Sequence, residues 1–249
     1  MAIVILSPHL DDAVLSCWHV LAEPAELLVI NVFAGVPTVL TAPAWWDEYT
    51  GATDSAERVR ERSEEDRRAL ALAGRTAVNL DFLDEQYRDG EQPLDALTDE
   101  IGRRLPRGAL VYAPAAIGSH GDHALVRAAA LALRADGFVV SLYADLPHAN
   151  VHGWPAWVTS SRTPAPKDLV GAAWEHALAG AGAMTPTTRE LGPEARSRKL
   201  EAVAMYGTQV DALAEFVGRP LSDPEALGYE VTWATAVPAR AATHAAHRP

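Results

Sequence analysis

Short apolar runs alternate with helical patterns over the first 145 residues, and this alternation restricts the fold more than any other feature. The predicted strands are Ala2–Leu6, Glu26–Phe33, Val78–Leu83, Ala109–Ala113 and Phe138–Ala144. The predicted helices are Asp12–Leu21, Ser55–Ala73, Pro93–Leu105 and His123–Arg134. Strands that alternate with helices form βαβ units, and such units assemble into parallel sheets. We therefore predict an α/β fold with a mainly parallel sheet.

The pattern weakens after residue 145. The stretch from Asp145 to about Thr188 is rich in Pro, Gly and Trp and is predicted to be mostly loop. One helix fits Glu194–Val217, and Tyr229–Ala236 is predicted to be a late strand. A chain of 249 residues can form one hydrophobic core. We expect one domain over residues 1–237, divided into a core (1–145) and a loop-rich substrate region with a closing helix (146–237), followed by a loose tail (238–249).

The composition excludes several classes of protein. The formal net charge of −12 disfavours a nucleic-acid partner. Cys17 is the single cysteine, so neither a disulfide framework nor a cysteine zinc site is possible, and its apolar setting favours a buried thiol. The first apolar run is too short to cross a membrane and has no basic segment before it. We expect a soluble, cytoplasmic protein without a membrane partner, and the oligomeric state is not predictable from these data.

Two polar segments follow predicted strands. SPHLDD comes directly after the first strand, and GSHGDH follows the strand ALVYA. In open parallel sheets, ligands bind beyond the carboxyl ends of the strands, where both segments are expected to lie. These segments are therefore the candidates for chemistry.

His9 and Asp12 are three residues apart across a strand-to-helix turn, and His123 opens the helix after the other segment. Two imidazoles and one carboxylate suit a catalytic Zn²⁺, because three protein ligands leave a position for water. Asp11 is then free to act as a base on that water. His120 can face the same cavity, with Asp122 orienting a neighbouring histidine.

A structural interpretation competes with the metal site. Asp11 or Asp12 could simply cap the first helix, and Ser119, Asp122 and His123 could cap the later one. For either segment alone, the two interpretations are equally good, since a His-x-x-Asp match is weak. Both segments carry a His-Asp pairing and both follow a strand, and this coincidence favours the metal site.

The sequence resembles the PIG-L/LmbE-like deacetylases. PHLDDA is similar to their Pro-His-x-Asp-Asp motif, and HGDH to their His-x-Asp-His motif. Arg62-x-x-Glu65 with Ala69 and Gly74 resembles a third motif. A fourth, late motif is matched by Lys199, Ala202, Tyr206, Thr208 and Gln209, with Thr in place of Ser. The resemblance covers roughly residues 2–210, with a second departure: Ala13 stands where many members carry Glu.

The resemblance implies a Rossmann-like fold, with helices on both faces of the sheet, and zinc-dependent hydrolysis of an N-acyl amide on an amino sugar or its conjugate. By motif position, His9, Asp12 and His123 bind Zn²⁺ or another divalent metal, and Asp11 is the general base. His120 stabilises the oxyanion, with Asp122 behind it. The phrase HLDDAVLS is most similar to deacetylases of glycosylated natural products, which suggests antibiotic biosynthesis and a small-molecule substrate.

Substrate contacts are less defined. Arg62 is a candidate contact, although a surface ion pair with Glu65 or Asp66 fits its spacing equally well. His148 and Trp154 are further candidates, and Trp154, like the pair Trp45–Trp46, either stacks on a sugar or packs within its loop. Tyr206 lies at helical spacing with apolar residues and is expected in the core. Two other functions stay open: an amidase acting on a thiol-sugar conjugate, and a non-catalytic sugar- or nucleotide-binding module.

Overall fold

The computed structural model describes residues 1–38, 42–158 and 167–235, and within these ranges seven strands form one sheet. The strands are β1 (Ile3–Ser7), β2 (Leu27–Asn31), β3 (Ala77–Asn79), β4 (Leu110–Pro114), β5 (Val139–Tyr143), β6 (Met184–Glu190) and β7 (Tyr229–Thr235). Their order is β3-β2-β1-β4-β5-β7-β6. The first five in this order are parallel, and β7 and β6 are antiparallel additions at one side. The prediction of an α/β fold with a mainly parallel sheet is confirmed.

Helices connect the strands. They are α1 (Asp12–Ser16), α2 (Trp18–Leu21), α3 (Trp45–Tyr49), α4 (Ser55–Leu72), α5 (Leu94–Arg104), α6 (Gly121–Leu133), α7 (His148–His152), α8 (Lys167–Leu178), α9 (Pro193–Val203), α10 (Val210–Val217) and α11 (Pro224–Leu227). The chain steps from β1 towards β3 in one direction and from β4 towards β5 in the other. Because crossovers are right-handed, this reversal places helices on both faces of the sheet. None of the helices in the described ranges has the length and apolar character needed to cross a membrane.

The reversal of strand order lies between β1 and β4, which are neighbours near the middle of the sheet. All five side chains of β1 are buried, as expected for a parallel strand covered on both faces. The segments that follow β1 and β4 leave the sheet at the same edge and in opposite directions. They enclose a crevice at the position where ligands bind in folds of this kind.

The predicted helix Asp12–Leu21 is interrupted at Cys17, which ends α1 and precedes α2. Cys17 itself is buried, as predicted. The interruption frees the backbone N–H groups of Trp18 and His19, and both donate to the Glu230 carboxylate at 2.9 Å. A side chain from β7 therefore caps α2, and this bond replaces continuity of the helix.

The predicted helix Glu194–Val217 is also divided, into α9 and α10. The turn between them (204–209) is fastened to α4. The Tyr206 hydroxyl donates to Asp66 at 2.8 Å, and Thr208 donates to Glu65 through its backbone N–H at 2.8 Å and its hydroxyl at 2.7 Å. These bonds to a distant helix outweigh the local preference for one long helix.

The expectation of a mostly loop segment up to Thr188 is wrong for its second half. This half contains the 12-residue helix α8 and most of the seven-residue strand β6. The sequence of β6, MTPTTRE, is polar and contains Pro, which is acceptable because β6 is paired only with β7. The predicted strand Val78–Leu83 is shorter than expected, since β3 ends at Asn79. Ala236 and the predicted tail 238–249 lie outside the described residues.

Candidate metal centre and active site

The segment after β1 is a tight turn that directs its side chains into the crevice. The Ser7 hydroxyl donates to the His9 carbonyl at 2.7 Å and accepts the Ala13 N–H at 3.0 Å. The His9 N–H donates to Asp12 Oδ2 at 2.8 Å. Ala13 is buried in the hydrophobic core. The second segment leads into α6, which begins at Gly121, two residues earlier than predicted.

His9, Asp12 and His123 converge as the sequence predicted. His123 Nε2 lies 3.4 Å and His9 Nδ1 lies 3.6 Å from Asp12 Oδ2. Ligands of a tetrahedral zinc ion are separated by about 3.3 Å, since each lies about 2.0–2.1 Å from the metal. All three residues are buried, and their ligand atoms lie within 4.8 Å of one another. The set therefore has the size and donor chemistry for a divalent cation.

His123 Nε2 gives independent support for a cation. This nitrogen is buried, and no hydrogen-bond partner satisfies it. Buried polar atoms without partners are rare in folded proteins, because each loses its bonds to water. A divalent ion between the two imidazoles and Asp12 would satisfy this atom, so the residues fit the cofactor that the sequence predicts.

A carboxylate that the sequence analysis missed orients His123. Asp145 Oδ1 lies 2.7 Å from His123 Nδ1, and Asp145 Oδ2 accepts the Ile117 N–H at 3.0 Å. Ala116 and Ser119 flank this loop with φ values of 61° and 60°, a left-handed conformation that is costly without glycine. The signal available in the sequence was the position of Asp145, directly after a strand at the same edge of the sheet.

Asp122 differs from its predicted role. Its carboxylate was expected behind His120, but Asp122 Oδ2 lies 3.2 Å from His9 Nε2, and Asp122 Oδ1 accepts from Arg88 at 2.5 Å. Asp122 therefore orients His9 and leaves Nδ1 of that ring for the cation. His9, His120 and Asp122 also have ligand atoms within 4.8 Å of one another. The guanidinium of Arg88 already balances the charge of Asp122, so this second group is the poorer cation site.

Asp11 lies beside the proposed metal ligands and lines the crevice. It occupies the N-cap position of α1, but its side chain makes no capping hydrogen bond, so the helix-cap interpretation is wrong for this residue. Burial and the adjacent Asp12 charge raise the pKa of Asp11 to about 6, while Arg62, whose Nη2 lies 4.0 Å from Asp11 Oδ2, opposes the shift. Burial also penalises ionised Asp12, but His123 and His9 outweigh it and lower the pKa of Asp12.

His120 stands at the mouth of the metal site. Its ring centroid lies 5.0 Å from that of His9 and 4.9 Å from that of His123. Burial, followed by the two neighbouring imidazoles, lowers the pKa of His120 to about 4, so its ring is neutral near pH 7. A neutral imidazole still donates one N–H, which suits a role as hydrogen-bond donor to the substrate.

The crevice opens into a cavity of about 330 Å³. Arg62 and His148, two of the predicted substrate contacts, lie in its lining. Arg62 is buried, which excludes the surface ion pair considered for it. The lining also includes residues that the sequence left open or did not single out, namely Trp45, Trp46, Asp84, Glu85, Gln209, Leu213 and Phe216.

Trp154 was predicted as a substrate contact, but it does not line this cavity. Its indole N–H donates to the Glu225 carbonyl at 2.7 Å, and its ring packs against Trp174 and Tyr229. Of the two interpretations that the sequence allowed, packing within the structure is correct.

The late motif supports the fold. Lys199 is fully buried and its Nζ lies 2.6 Å from Glu230 Oε1, the carboxylate that caps α2. Tyr206 is in the core, as predicted, and fastens the turn 204–209 to α4. Gln209 accepts the indole N–H of Trp46 at 2.7 Å and so fixes one side of the cavity.

A Rossmann-like sheet whose crevice combines a set of metal-ligand residues with a free carboxylate defines the class of metal-dependent hydrolases. Residues 4–134, just over half of the chain, match the PIG-L family, described as GlcNAc-PI de-N-acetylase, and the chain belongs to this family.

Comparisons with known proteins agree with this assignment. A 2'-N-acetylparomamine deacetylase from Niallia circulans is 27% identical over 190 residues, which are 61% of this chain and 69% of the relative. A protein of the same name from Streptomyces fradiae is 32% identical over 170 residues, 59% of this chain and 57% of the relative. The crystal structure of a triple mutant of a deacetylase in the teicoplanin biosynthetic pathway is 29% identical. It superposes with a TM-score of 0.71 over 94% of this chain and 97% of its own. The chain is thus an N-deacetylase of the PIG-L family.

Proposed function

We propose that this protein removes the N-acetyl group from an amino sugar carried by a glycosylated natural product, with a zinc ion held by His9, Asp12 and His123. The observation that carries the proposal is the convergence of these ligands, including the unsatisfied Nε2 of His123, beside the free carboxylate of Asp11. Two imidazoles and one carboxylate favour zinc among divalent ions, although this set also accepts other first-row metals.

When bound, the cation supplies Lewis-acid activation of the attacking water and of the acyl carbonyl. Asp11 accepts a proton from the water as its oxygen attacks the carbonyl carbon. His120 donates a hydrogen bond to the oxygen that becomes negative. Asp11 then passes its proton to the sugar nitrogen, the C–N bond breaks, and acetate and a free amine leave.

The groups around the ligands hold this geometry. Asp145 is hydrogen-bonded at 2.7 Å to the ring nitrogen of His123 that faces away from the cation. Asp122 is hydrogen-bonded in the same way to His9, at 3.2 Å. This fixes the tautomer and the orientation of each ring before substrate arrives. Arg62 stays near Asp11, where its charge balances the two adjacent carboxylates when no proton is bound.

The substrate class rests on the relatives. Two relatives, 27% and 32% identical over the aligned residues, are named 2'-N-acetylparomamine deacetylases, and a solved structure of the same fold, 29% identical, is named for the teicoplanin biosynthetic pathway. A substrate of this kind is a small molecule, and the cytoplasmic location expected from the sequence remains a prediction. No described contact specifically favours the thiol-sugar amidase over this substrate.

The direct test is hydrolysis by zinc-loaded protein. We expect release of acetate and a primary amine from an N-acetylglucosaminide, and loss of both products when a chelator removes the metal. The zinc content should be about one ion per chain, and it should fall in His123→Ala. A metal-loaded protein that releases acetate from no N-acetylated amino sugar, free or conjugated, would contradict the proposal.

A further inference from the structure

The cavity has a second half that the deacetylation chemistry does not use. Its outer side is built from α3 and α10, which contribute Trp45, Trp46, Leu213 and Phe216 to the lining. We call these four residues the aromatic wall. The proposed catalytic groups line the same cavity, and Phe216 packs on His148 at 5.6 Å between ring centroids, so the lining combines polar groups with an apolar wall.

The aromatic wall exposes more apolar surface than folding requires. Trp45 is 69% exposed and Phe216 is 48% exposed, although both are large aromatic residues. The helix α10, VDALAEFV, has no fully buried residue, and Leu213 and Phe216 line the cavity, although Leu213 also packs against the core. Contiguous exposed apolar surface beside a polar cleft is typical of a ligand site.

The wall is also held rigid. The Trp46 indole N–H donates at 2.7 Å to Gln209, the residue that precedes α10, so this bond joins α3 to the start of α10 beside the cavity. Trp45 packs edge-to-face on Trp46 at 5.4 Å between ring centroids. Fixed aromatic rings bind a flat ligand with little loss of side-chain entropy.

The charges of the described lining residues distinguish between a cationic and an uncharged aglycone. The carboxylates that line the cavity, Asp11, Asp12, Asp84 and Glu85, belong to the metal side. Among the described residues, neither α3 nor α10 contributes a charged side chain to the lining, and Asp47 is instead buried and accepts the Tyr87 hydroxyl. A cationic aglycone would find no counter-ion among the four residues of this wall.

We propose that the aromatic wall binds an uncharged, aromatic aglycone attached to the amino sugar. The inference rests on the proposed function, since the sugar must sit at the metal end for the aglycone to reach the wall. The substrate class is then an aryl N-acetylglucosaminide or a larger conjugate that presents an aromatic ring next to the sugar, rather than an amino sugar linked to a polyamine.

The test compares three glycosides with the zinc-loaded, full-length protein: the methyl, p-nitrophenyl and 3-aminopropyl N-acetyl-β-glucosaminides. Removing one aromatic face from water typically improves binding about tenfold or more. We expect kcat/KM for the p-nitrophenyl compound to exceed that for the methyl compound by about this factor, through KM. The aminopropyl compound should gain nothing.

Trp45→Ala and Phe216→Ala should each remove most of this aryl preference, and Trp45→Phe should retain part of it. Trp157→Ala is the matched control, because Trp157 is a similarly exposed aromatic residue, at 51%. It packs against Trp174 and Trp233 and does not line the cavity. It should keep the wild-type ratio. Thermal unfolding of each variant separates loss of fold from loss of preference.

Binding of the deacetylated compound, p-nitrophenyl glucosaminide, separates this inference from the proposed function. If calorimetry detects binding that depends on Trp45 while no glycoside is hydrolysed, the proposed function fails and the aromatic subsite stands. If all glycosides are hydrolysed with equal kcat/KM, or the aminopropyl compound is preferred, the proposed function stands and the aromatic subsite is refuted.

Discussion

Asp145→Asn tests whether the metal ligand His123 depends on its buried partner. The carboxylate of Asp145 accepts two hydrogen bonds, one from the His123 ring at 2.7 Å and one from the Ile117 N–H at 3.0 Å. Asparagine has a single oxygen, so one of these donors must face an NH₂ group. An unsatisfied buried donor costs about 1–3 kcal/mol, equivalent to roughly 5- to 150-fold in an equilibrium constant.

The two orientations of the new amide have different consequences. If the amide oxygen faces Ile117, His123 loses its partner and the metal affinity falls about 10- to 100-fold, as for other outer partners of metal ligands. If the oxygen faces His123, the loop is weakened and the free energy of unfolding falls by about 1–3 kcal/mol. Competition with a chromophoric chelator measures the metal affinity, and urea denaturation of the metal-free protein measures the stability.

Asp136→Asn is the control, because this acid is exposed at the end of the helical segment that follows α6. It should leave both quantities unchanged. An Asp145→Asn variant that also retains wild-type metal affinity and wild-type stability would refute the argument that this carboxylate holds the metal ligand.

Three further predictions concern the remaining polar groups. Asp11→Asn keeps the size of the side chain but cannot accept a proton, so kcat should fall about 10²–10⁴-fold with metal content unchanged. Asp12→Asn should instead lose metal and regain part of its activity in excess zinc. The opposite pattern in metal analysis would reverse the two roles. His120→Ala should retain metal and lose about 10²–10³-fold in kcat, as for loss of one oxyanion donor, and wild-type turnover would make His120 a bystander. Lys199→Met removes the lysine cation from fully buried Glu230 and leaves the carboxylate only the ring of His19 and the two backbone N–H groups. Denaturant unfolding should show a loss of about 3–5 kcal/mol; unchanged stability would mean that the ion pair is not needed.

The convergence of His9, Asp12 and His123 was predictable from the sequence, because the signals for it are local. His9 and Asp12 share one turn, His123 follows another strand, and the topology of a parallel sheet brings the ends of β1 and β4 together. The same reasoning could not find Asp145 as a partner of His123, since only the folded loop around Ile117 aims its carboxylate at the ring.

Three of the failures share one physical cause, which is competition from distant groups. Trp154 is removed from the cavity by a hydrogen bond to a carbonyl 71 residues further along the chain. The break at Cys17 depends on Glu230, and the break after α9 depends on Glu65 and Asp66. None of these partners falls within a window of sequence that helical periodicity can sample.

The cap of α2 also has a consequence for biosynthesis of the chain. Trp18 and Glu230 are 212 residues apart, and the strand that carries Glu230 inserts between β5 and β6. At a translation rate of about 5–20 residues per second, the first helices leave the ribosome roughly 10–40 s before their cap is made. Once β5 and then Lys199 have been synthesised, β5 is an open sheet edge and Lys199 has no counter-ion until Glu230 follows. The native packing of α2 is therefore expected only once β7 has been synthesised, and the edge at β5 needs protection until then.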